Sequence, residues 1–432
     1  MRHVTIIALL GMGVLLGGVA AADELPSKTL AECIAIAVQQ HPSLKAAGAS
    51  VDAGHQRVWQ AASNYLPQLS ATYGAARRNA SISARTGGSG ATQSQTFNFY
   101  NTGVSFTQVL FDFGQTLASI RAAQAAEQSL EAELSTQRDT VVLNVKQSYF
   151  NLLAAERLLG VADETVHQSQ KHLEQAQGRY DVGMAPKFDV TNVQVQLAQS
   201  ELNQLTARNN MAVARETLRN ALGLVGPLDF DIVDYFGTRR VQITAEEALA
   251  AAYDKRPELQ SIQAQERSTE QQIASLQRNY LPNLTGNGAY NWTGNDYPLQ
   301  SSWNVGANVN LSIFNGGLTT AQVGEAKANL SNLKFNEDVL RQNIALEVRQ
   351  AVLNVQQAAE SIRVAEKGLQ QARENMDLAD GRYKTGVGNI IELTDAQTSL
   401  TTAEASHVQA LYSYQTAVAA VEKATAQQLA AD

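Results

Sequence analysis

The chain contains the same unit twice, and this internal duplication limits the possible folds more than any other feature of the sequence. Residues 29–67 match residues 244–282 without gaps, and residues 178–201 match residues 381–404 in the same way. The offsets, 215 and 203 residues, differ by 12 because the first copy has a longer Gly-, Ser- and Thr-rich stretch. The duplication predicts structural repeats at 23–222 and 243–432, a linker or equatorial segment at 223–242 and a loop at 81–95.

The N-terminal segment has the pattern of a secretory signal peptide. Arg2 precedes an apolar run from 4 to 19, which is followed by the small residues Ala20, Ala21 and Ala22. The run is shorter than the ~20 residues that a transmembrane helix needs, so we interpret 1–22 as a cleaved signal peptide. The only cysteine, Cys33, lies in an amphipathic helical pattern, which indicates a small buried residue.

Each copy contains two stretches with the period-two alternation of half-buried strands. Over 303–313, apolar residues alternate with Asn, Gly and Ser for about 11 residues, the length of a tilted membrane-spanning strand. A soluble amphipathic hairpin packed on a core is the alternative, but aromatic residues near the strand ends favour a bilayer. The predicted strands lie at about 66–78, 97–111, 281–293 and 302–314.

The segments that follow the strands predict very long helices. Between Gly114 and Gly178, and between Gly317 and Gly381, the chain has no Pro and very few Gly. A helix that fills such a span is ~95 Å long, so it must pack in a coiled coil or a bundle. A Gly-Arg-Tyr motif then leads into predicted hairpin tips at about 178–190 and 381–392.

The composition and the motifs argue against an enzyme and against a nucleic-acid-binding protein. The formal net charge is −8, and an acidic exported chain is not expected to bind nucleic acid. The six histidines lack the spacing of metal ligands, and a single cysteine excludes a disulfide framework. Since motifs for a nucleophile elbow, a catalytic zinc or a phosphate-binding loop are also missing from the sequence, we predict no catalytic site, cofactor or metal.

Four membrane-length strands are too few to close a barrel, so the strands must be shared between chains. Open sheet edges are not tolerated in lipid, and the smallest closed barrels have about eight strands. Two copies would give eight strands around a filled interior, whereas three would give 12 strands around a lumen. Because the predicted inward faces are rich in Asn, Ser, Thr and Gly, which suit water, we favour three copies on a rotational axis.

These features together resemble the TolC family of outer-membrane efflux proteins over the whole mature chain. The resemblance is carried by the signal peptide, the duplicated helix–strand–strand–helix–helix order, the Asn-Tyr-Leu-Pro elements before the strands and the Arg-Tyr tips. It implies an α+β, mainly α, membrane protein: a homotrimer with a 12-stranded β-barrel in outer-membrane lipid and a long α-helical barrel in the periplasm. It further implies a passive efflux or type I secretion channel. Its partners would be a periplasmic adaptor protein and an inner-membrane pump of the resistance-nodulation-division, ABC or major-facilitator type.

The resemblance also implies roles for the residues of the two tips. Gly183 and Gly386 match glycines that dock the adaptor, although glycines needed only for the turn are the alternative. Gly388 stands where the family often has a basic residue, and we expect it to loosen the second turn, whereas Pro186 restricts the first. The expected docking residues are Gly183, Met184, Pro186, Gly386, Val387 and Gly388; the entrance-latch residues are Arg179, Tyr180, Arg382 and Tyr383; the acids of the periplasmic aperture are Glu392, Asp395 and Asp189.

The acidic residues of the second tip suggest a selectivity device. Glu392 and Asp395 are three residues apart, so they share one helix face. Three-fold symmetry would turn them into two rings of carboxylates that attract cations, and a solvated helix face is the alternative. For the protein as a whole, the alternative function is a structural or adhesive periplasmic coiled-coil protein anchored by a β domain.

Overall fold

The computed structural model describes residues 26–81, 94–234 and 243–428. The predicted signal peptide lies outside these residues, as do most of the predicted loop at 81–95 and the second part of the predicted linker. Within the described residues the protein is mainly helical, with one four-stranded sheet and one short two-stranded sheet. This confirms the predicted α+β class and the duplicated helix–strand–strand–helix–helix order.

The helices of the two repeats follow each other in the same order and with nearly the same lengths. Two short helices come first in each repeat, and two long helices that form a hairpin come last. The longest helix of each repeat has 67 residues and is therefore ~100 Å long. The helices are α1 Leu30–Gln40, α2 Pro42–Ala62, α3 Gln115–Asp181, α4 Lys187–Ala221, α5 Ala245–Lys255, α6 Pro257–Gln277, α7 Leu318–Lys384 and α8 Ile390–Thr425.

Both repeats begin with the same helix start signals. The side chains of Thr29 and Thr244 each accept a hydrogen bond from the backbone N–H of a glutamate three residues later, and the carboxylate of that glutamate accepts from the backbone N–H of the threonine. These capping boxes satisfy N–H groups that the first helical turn leaves unpaired. Pro42 and Pro257 are the first residues of α2 and α6, a position where the missing proline N–H costs nothing.

The four long strands form one antiparallel sheet in which each pairs with the next long strand along the chain. The central pair joins the two repeats, because the second long strand of the first repeat lies beside the first long strand of the second. The strands are β2 Gln68–Ser81, β3 Ser94–Phe111, β5 Asn283–Gly294 and β6 Gln300–Asn310; β1 Ser27–Lys28 and β4 Asp231–Ile232 form the parallel pair.

The predicted strand ends need correction at several places. The strand predicted over 302–314 ends at Asn310, so Leu311 and Ile313 lie outside it although they continue the alternation. Asn310 pairs with Asn283, the first residue of β5, and no strand partner continues beyond that pair. The strands predicted from 66 and 281 begin two residues later, after a short 3-10 turn and a proline that cannot donate to the ladder.

The helices form a wall in which α3 occupies a central position. Near the sheet, α3 packs between α2 and α6, and α6 in turn packs against α7. Towards the tips, α3 packs between α4 and α8, and α8 packs against α7. The wall therefore has the order α4-α3-α8-α7 at the tip end, with α4 and α7 at its two outer edges. None of the described helices is both long and apolar enough to cross a lipid bilayer.

Among the described residues, three buried clusters hold the wall together, one of them at the tips. The first surrounds Tyr149 on α3 and includes Cys33, Leu228 and Phe230, so residues of the predicted linker pack into the core. The Tyr149 hydroxyl donates to the backbone carbonyls of Lys28 and Val233, which ties the linker to the helices. The second cluster surrounds Val348 on α7 and is its counterpart in the second repeat.

Candidate functional site at the hairpin tips

Both helical hairpins reverse through a glycine in the left-handed region. Gly183 has φ = +74° and Gly386 has φ = +80°, values that favour glycine because other side chains crowd the backbone there. In the first tip, the Gly183 N–H donates to the Tyr180 carbonyl at 2.9 Å, and the Met184 N–H donates to the Arg179 carbonyl at 2.8 Å. These bonds satisfy carbonyls at the end of α3, as in a Schellman motif.

The second tip has a close backbone approach at Gly388. The N–H groups of Val387 and Gly388 both donate to the Arg382 carbonyl, at 3.1 and 2.9 Å. A Cβ atom on Gly388 would lie 2.9 Å from the Arg382 Cβ and 3.1 Å from its carbonyl carbon. The expectation that Gly388 loosens this turn is therefore wrong, because the position is tightly packed and needs a glycine for space.

The helices that leave the two tips begin differently. Pro186 is the residue before α4, and it provides no side-chain cap. Asn389 holds the equivalent place before α8, where its Oδ1 accepts from the Glu392 N–H at 2.8 Å. The second turn is thus fixed by a side-chain cap that the sequence analysis did not single out.

A single arginine joins the two tips within one chain. The Arg179 Nη2 atom donates to the Lys384 carbonyl at 3.0 Å, across the boundary between the two hairpins. The Arg179 guanidinium carbon also lies 4.5 Å from the centroid of the Tyr383 ring, within the range of a cation–π contact. Tyr383 is only 2% exposed and belongs to the third buried cluster, with members from both hairpins: Ala176, Val190, Val193, Ile390 and Leu393.

The four residues expected to latch the entrance thus divide into two groups. Arg179 and Tyr383 meet between the hairpins, whereas Tyr180 is 41% exposed. The Arg382 side chain is 54% exposed, and its Nε lies 3.3 Å from Glu392 Oε2 in the same hairpin. In the first motif Arg179 therefore has its partners in the second tip while Tyr180 lies on the surface, and in the second motif Tyr383 is buried while Arg382 is exposed.

The expected aperture acids lie in two different environments. Glu392 and Asp395 are both exposed on the first turns of α8. Asp189 is half-buried and close enough to Tyr383 for its carboxylate charge to affect the pKa of the Tyr383 hydroxyl. Burial raises the pKa of Tyr383, the Arg179 cation opposes this rise, and the Asp189 carboxylate adds to it. Asp189 is therefore less exposed than the other two acids, and its charge acts on Tyr383 of the second hairpin.

A polar group that the sequence analysis passed over is buried above the tips. His172 on α3 is 5% exposed, and neither of its ring nitrogens has a hydrogen-bond partner among the described residues. The Oε1 atoms of Gln175 and Gln397 are likewise buried without a partner there. Burial lowers the pKa of His172, against the opposing effect of the Asp380 carboxylate. A lone histidine in a helical sequence gives no signal of such an environment.

The geometry of the tips is that of a structural and electrostatic device. Within 26–81, 94–234 and 243–428, the structure contains no cluster of three or more His, Cys, Asp and Glu side chains able to hold a metal ion. What the tips offer instead is a closed turn, a cation–π contact and an exposed acidic pair.

Comparison with known proteins assigns the chain to a family. A family model described as outer membrane efflux protein matches residues 33–224 and 248–427, which together include both helical hairpins and the sheet. The chain belongs to this family. Its members are outer-membrane channels rather than enzymes, and they work with pump and adaptor proteins. The protein is accordingly an outer-membrane channel of efflux or type I secretion, with its long helices in the periplasm.

Individual relatives and solved structures agree with this assignment. The chain is 26% identical to the outer membrane protein TolC of Escherichia coli (strain K12) over 392 residues, 87% of this chain and 77% of the relative. It is 23% identical to the outer membrane efflux protein BepC of Brucella suis, over 93% of this chain and 85% of the relative. The fold is similar to the CmeC outer membrane channel of Campylobacter jejuni, with a TM-score of 0.81 at 20% identity over 92% of this chain and 85% of that one.

Proposed function

We propose that this family member is a passive duct made of three copies of the chain. The observation that carries the proposal is the four-stranded sheet, in which β2 and β6 each have a strand partner on one side only among the described residues. Unpaired strand edges are not tolerated within a bilayer, so these edges must pair with other copies. Three copies supply 12 strands, enough for a closed barrel with an open lumen.

The exposed faces of the sheet support a membrane location for it. On β6, the apolar residues Trp303, Val305 and Val309 are each about 70% exposed, and they alternate with Asn304 and Asn308. Alternation of this kind places apolar side chains against outer-membrane lipid and amides against water. Tyr290 lies opposite Trp303 in the ladder, so aromatic side chains cluster at one level of the sheet.

The outer helices of the wall support the same assembly. Apolar side chains are exposed on both edge helices, along α4 at Val195, Leu202, Leu205 and Val213 and along α7 at Val339, Leu346 and Leu353. The duplication gives an internal comparison, because Leu353 corresponds to Phe150 in the first repeat. Leu353 is 62% exposed and Phe150 is 3% exposed. We infer that the face of α7 carrying Leu353 is covered by another copy.

The tips supply an exposed surface for an adaptor protein. Val182, Met184 and Val387 are between about 68% and 76% exposed, although all three are apolar. Apolar groups at a turn suit a partner helix that approaches the backbone at Gly183 and Gly386. The energy for transport would then come from an inner-membrane pump of the resistance-nodulation-division, ABC or major-facilitator type.

Glu392 and Asp395 are proposed to set the ion preference of the entrance. Three copies would bring six exposed carboxylates near the axis, and rings of carboxylates favour cations. Replacement of both residues by alanine is expected to raise conductance or to weaken cation selectivity. A matched control is Glu374→Ala with Asp377→Ala, which removes the same charge at the same spacing from an exposed face of α7.

The proposal is tested with the purified protein in detergent and in planar bilayers. Light scattering should give the mass of three chains, and the bilayer should show cation-selective current. A trimer that carries no current would favour the structural or adhesive alternative. Equal selectivity of the Glu392/Asp395 and Glu374/Asp377 variants would refute the role given to the entrance acids.

A further inference from the structure

Because the chain is duplicated, the contact that Arg179 makes between the two tips predicts an equivalent contact for the corresponding residues of the other repeat. Within one chain, Arg179 lies over the Tyr383 ring and donates to the Lys384 carbonyl. A shift of 203 residues turns these three positions into Arg382, Tyr180 and Asp181. All three exist in the sequence with the chemistry that the contact needs, namely a guanidinium, an aromatic ring and a backbone carbonyl at a helix end.

The described chain leaves this second set of groups apart. Tyr180 is 41% exposed, and Arg382 is paired with Glu392 of its own hairpin at 3.3 Å. The hydrogen bonds within the first tip use the carbonyls of Arg179 and Tyr180. The Asp181 carbonyl is one of the last four carbonyls of α3, and it corresponds to the Lys384 carbonyl of the second repeat, which accepts from Arg179. Each group therefore remains accessible from outside the chain.

The order of the helices shows where the missing contact would form. The wall runs α4-α3-α8-α7, and the contact seen within the chain lies where the first hairpin meets the second. If copies follow one another around a ring, α7 of one copy meets α4 of the next. The second hairpin of one copy then lies beside the first hairpin of the next copy. This repeats the neighbourhood of first and second hairpins that brings Arg179 to Tyr383 within a chain.

We propose that Arg382 binds the tip of a second copy of this chain, stacking on Tyr180 of the partner subunit and donating to the Asp181 carbonyl of the partner subunit. The entrance of the trimer then has six related Arg-Tyr pairs, three within chains and three between them. The proposal rests on the three-copy assembly proposed above. Glu392 competes for Arg382, so the same carboxylate contributes to the aperture charge and adjusts the contact between copies.

Chemical cross-linking tests the contact directly. Cys33, the only native cysteine, is fully buried, and burial raises the pKa of its thiol to about 11, so it does not interfere. The variant Asp181→Cys/Arg382→Cys, treated with a short bis-maleimide, should give bands of two and three chains on a denaturing gel. The matched variant Arg179→Cys/Lys384→Cys carries the equivalent pair within a chain and should remain at the mass of one chain.

The outcomes separate this proposal from the assembly on which it rests. A trimer in which Asp181→Cys/Arg382→Cys stays at the mass of one chain, while the matched pair reacts fully, overturns the contact and leaves the assembly intact. A protein that is monomeric in detergent by light scattering overturns both.

Substitution of the ring gives an independent readout. Tyr180→Phe keeps the aromatic face, and its resting conductance should equal that of the unchanged protein. Tyr180→Leu removes the face, and loss of an exposed cation–π contact should raise the open probability about two- to fivefold for each pair. Equal conductance of the Phe and Leu variants would show that the ring does not bind Arg382.

Discussion

Replacement of Gly386 by alanine measures how much the left-handed glycine of the second turn stabilises the closed tip against local opening. Gly386 has φ = +80°, and no atom lies within 4 Å of the place where a Cβ would stand. The cost of the substitution is therefore conformational rather than steric. A left-handed residue other than glycine costs ~1–2 kcal/mol. This cost should increase the population of the locally opened tip about 5- to 30-fold.

Limited proteolysis with trypsin measures this population. The peptide bonds after Arg382 and Lys384 lie in the last turn of α7, and they can be cut only when that turn opens. When opening and closing are fast relative to cleavage, the rate of cleavage is proportional to the opened population. We therefore expect Gly386→Ala to be cut about 5- to 30-fold faster at the second tip, with cleavage elsewhere unchanged.

Gly381→Ala is the matched control for this experiment. Gly381 lies inside α7, less than two turns before Gly386, and also has open space around its Cβ position. Alanine is favoured over glycine within a helix by up to ~1 kcal/mol, so this variant should be cut at the same rate or more slowly. Equal acceleration in both variants would refute the argument, because it would show that an added methyl group rather than the φ angle opens the tip.

Three further predictions concern other contacts of the hairpins and their supports. Asn389→Ala removes the cap of α8, so ~1 kcal/mol of local stability should be lost and trypsin cleavage should rise about fivefold, while Asn389→Asp should retain the native rate. Burial lowers the pKa of His172, so the unfolded chain binds this proton more tightly and stability should fall as the pH drops below about 6.5. The melting temperature should therefore decrease less between about pH 7.5 and pH 5.5 in His172→Gln than in the native protein, and an equal decrease would contradict the assignment. Arg256→Met removes a buried guanidinium, while the half-buried carboxylates of Glu258 and Glu347 keep Lys423 as a partner, so chemical denaturation should show a loss of about 1–3 kcal/mol, and a loss below about 0.5 kcal/mol would count against a structural role.

The large elements of the fold could be predicted because each follows from a local pattern. The long helices follow from the scarcity of Pro and Gly, and the strands follow from alternation. The strand ends could not be predicted in the same way, because Leu311 and Ile313 continue the alternation after β5 has no residue left to pair with them. Pairing is a tertiary property, and the pattern of one strand does not contain the length of its partner.

The arrangement of the tips shows a different limit of sequence analysis. Tyr180 and Tyr383 occupy the same place in the same motif, yet one is 41% exposed and the other is 2% exposed. The difference arises because Arg179 meets a second hairpin of its own chain, 204 residues later, whereas Arg382 does not. The repeat predicts that the two contacts are equivalent, but only the order of the helices tells which of them forms within a chain.

The equal lengths of α3 and α7 restrict how this sequence can change by insertion or deletion. Each helical residue adds ~1.5 Å of length and ~100° of rotation, so the loss of one residue from α3 alone would raise the first tip and turn Arg179 away from Tyr383. A matching loss from α7 would restore the alignment of both hairpins. Single-residue deletions in either long helix should therefore abolish assembly, and the second deletion should rescue it. The lengths of these two helices are therefore coupled, so an insertion or deletion in one half of the chain is tolerated only with a matching change in the other.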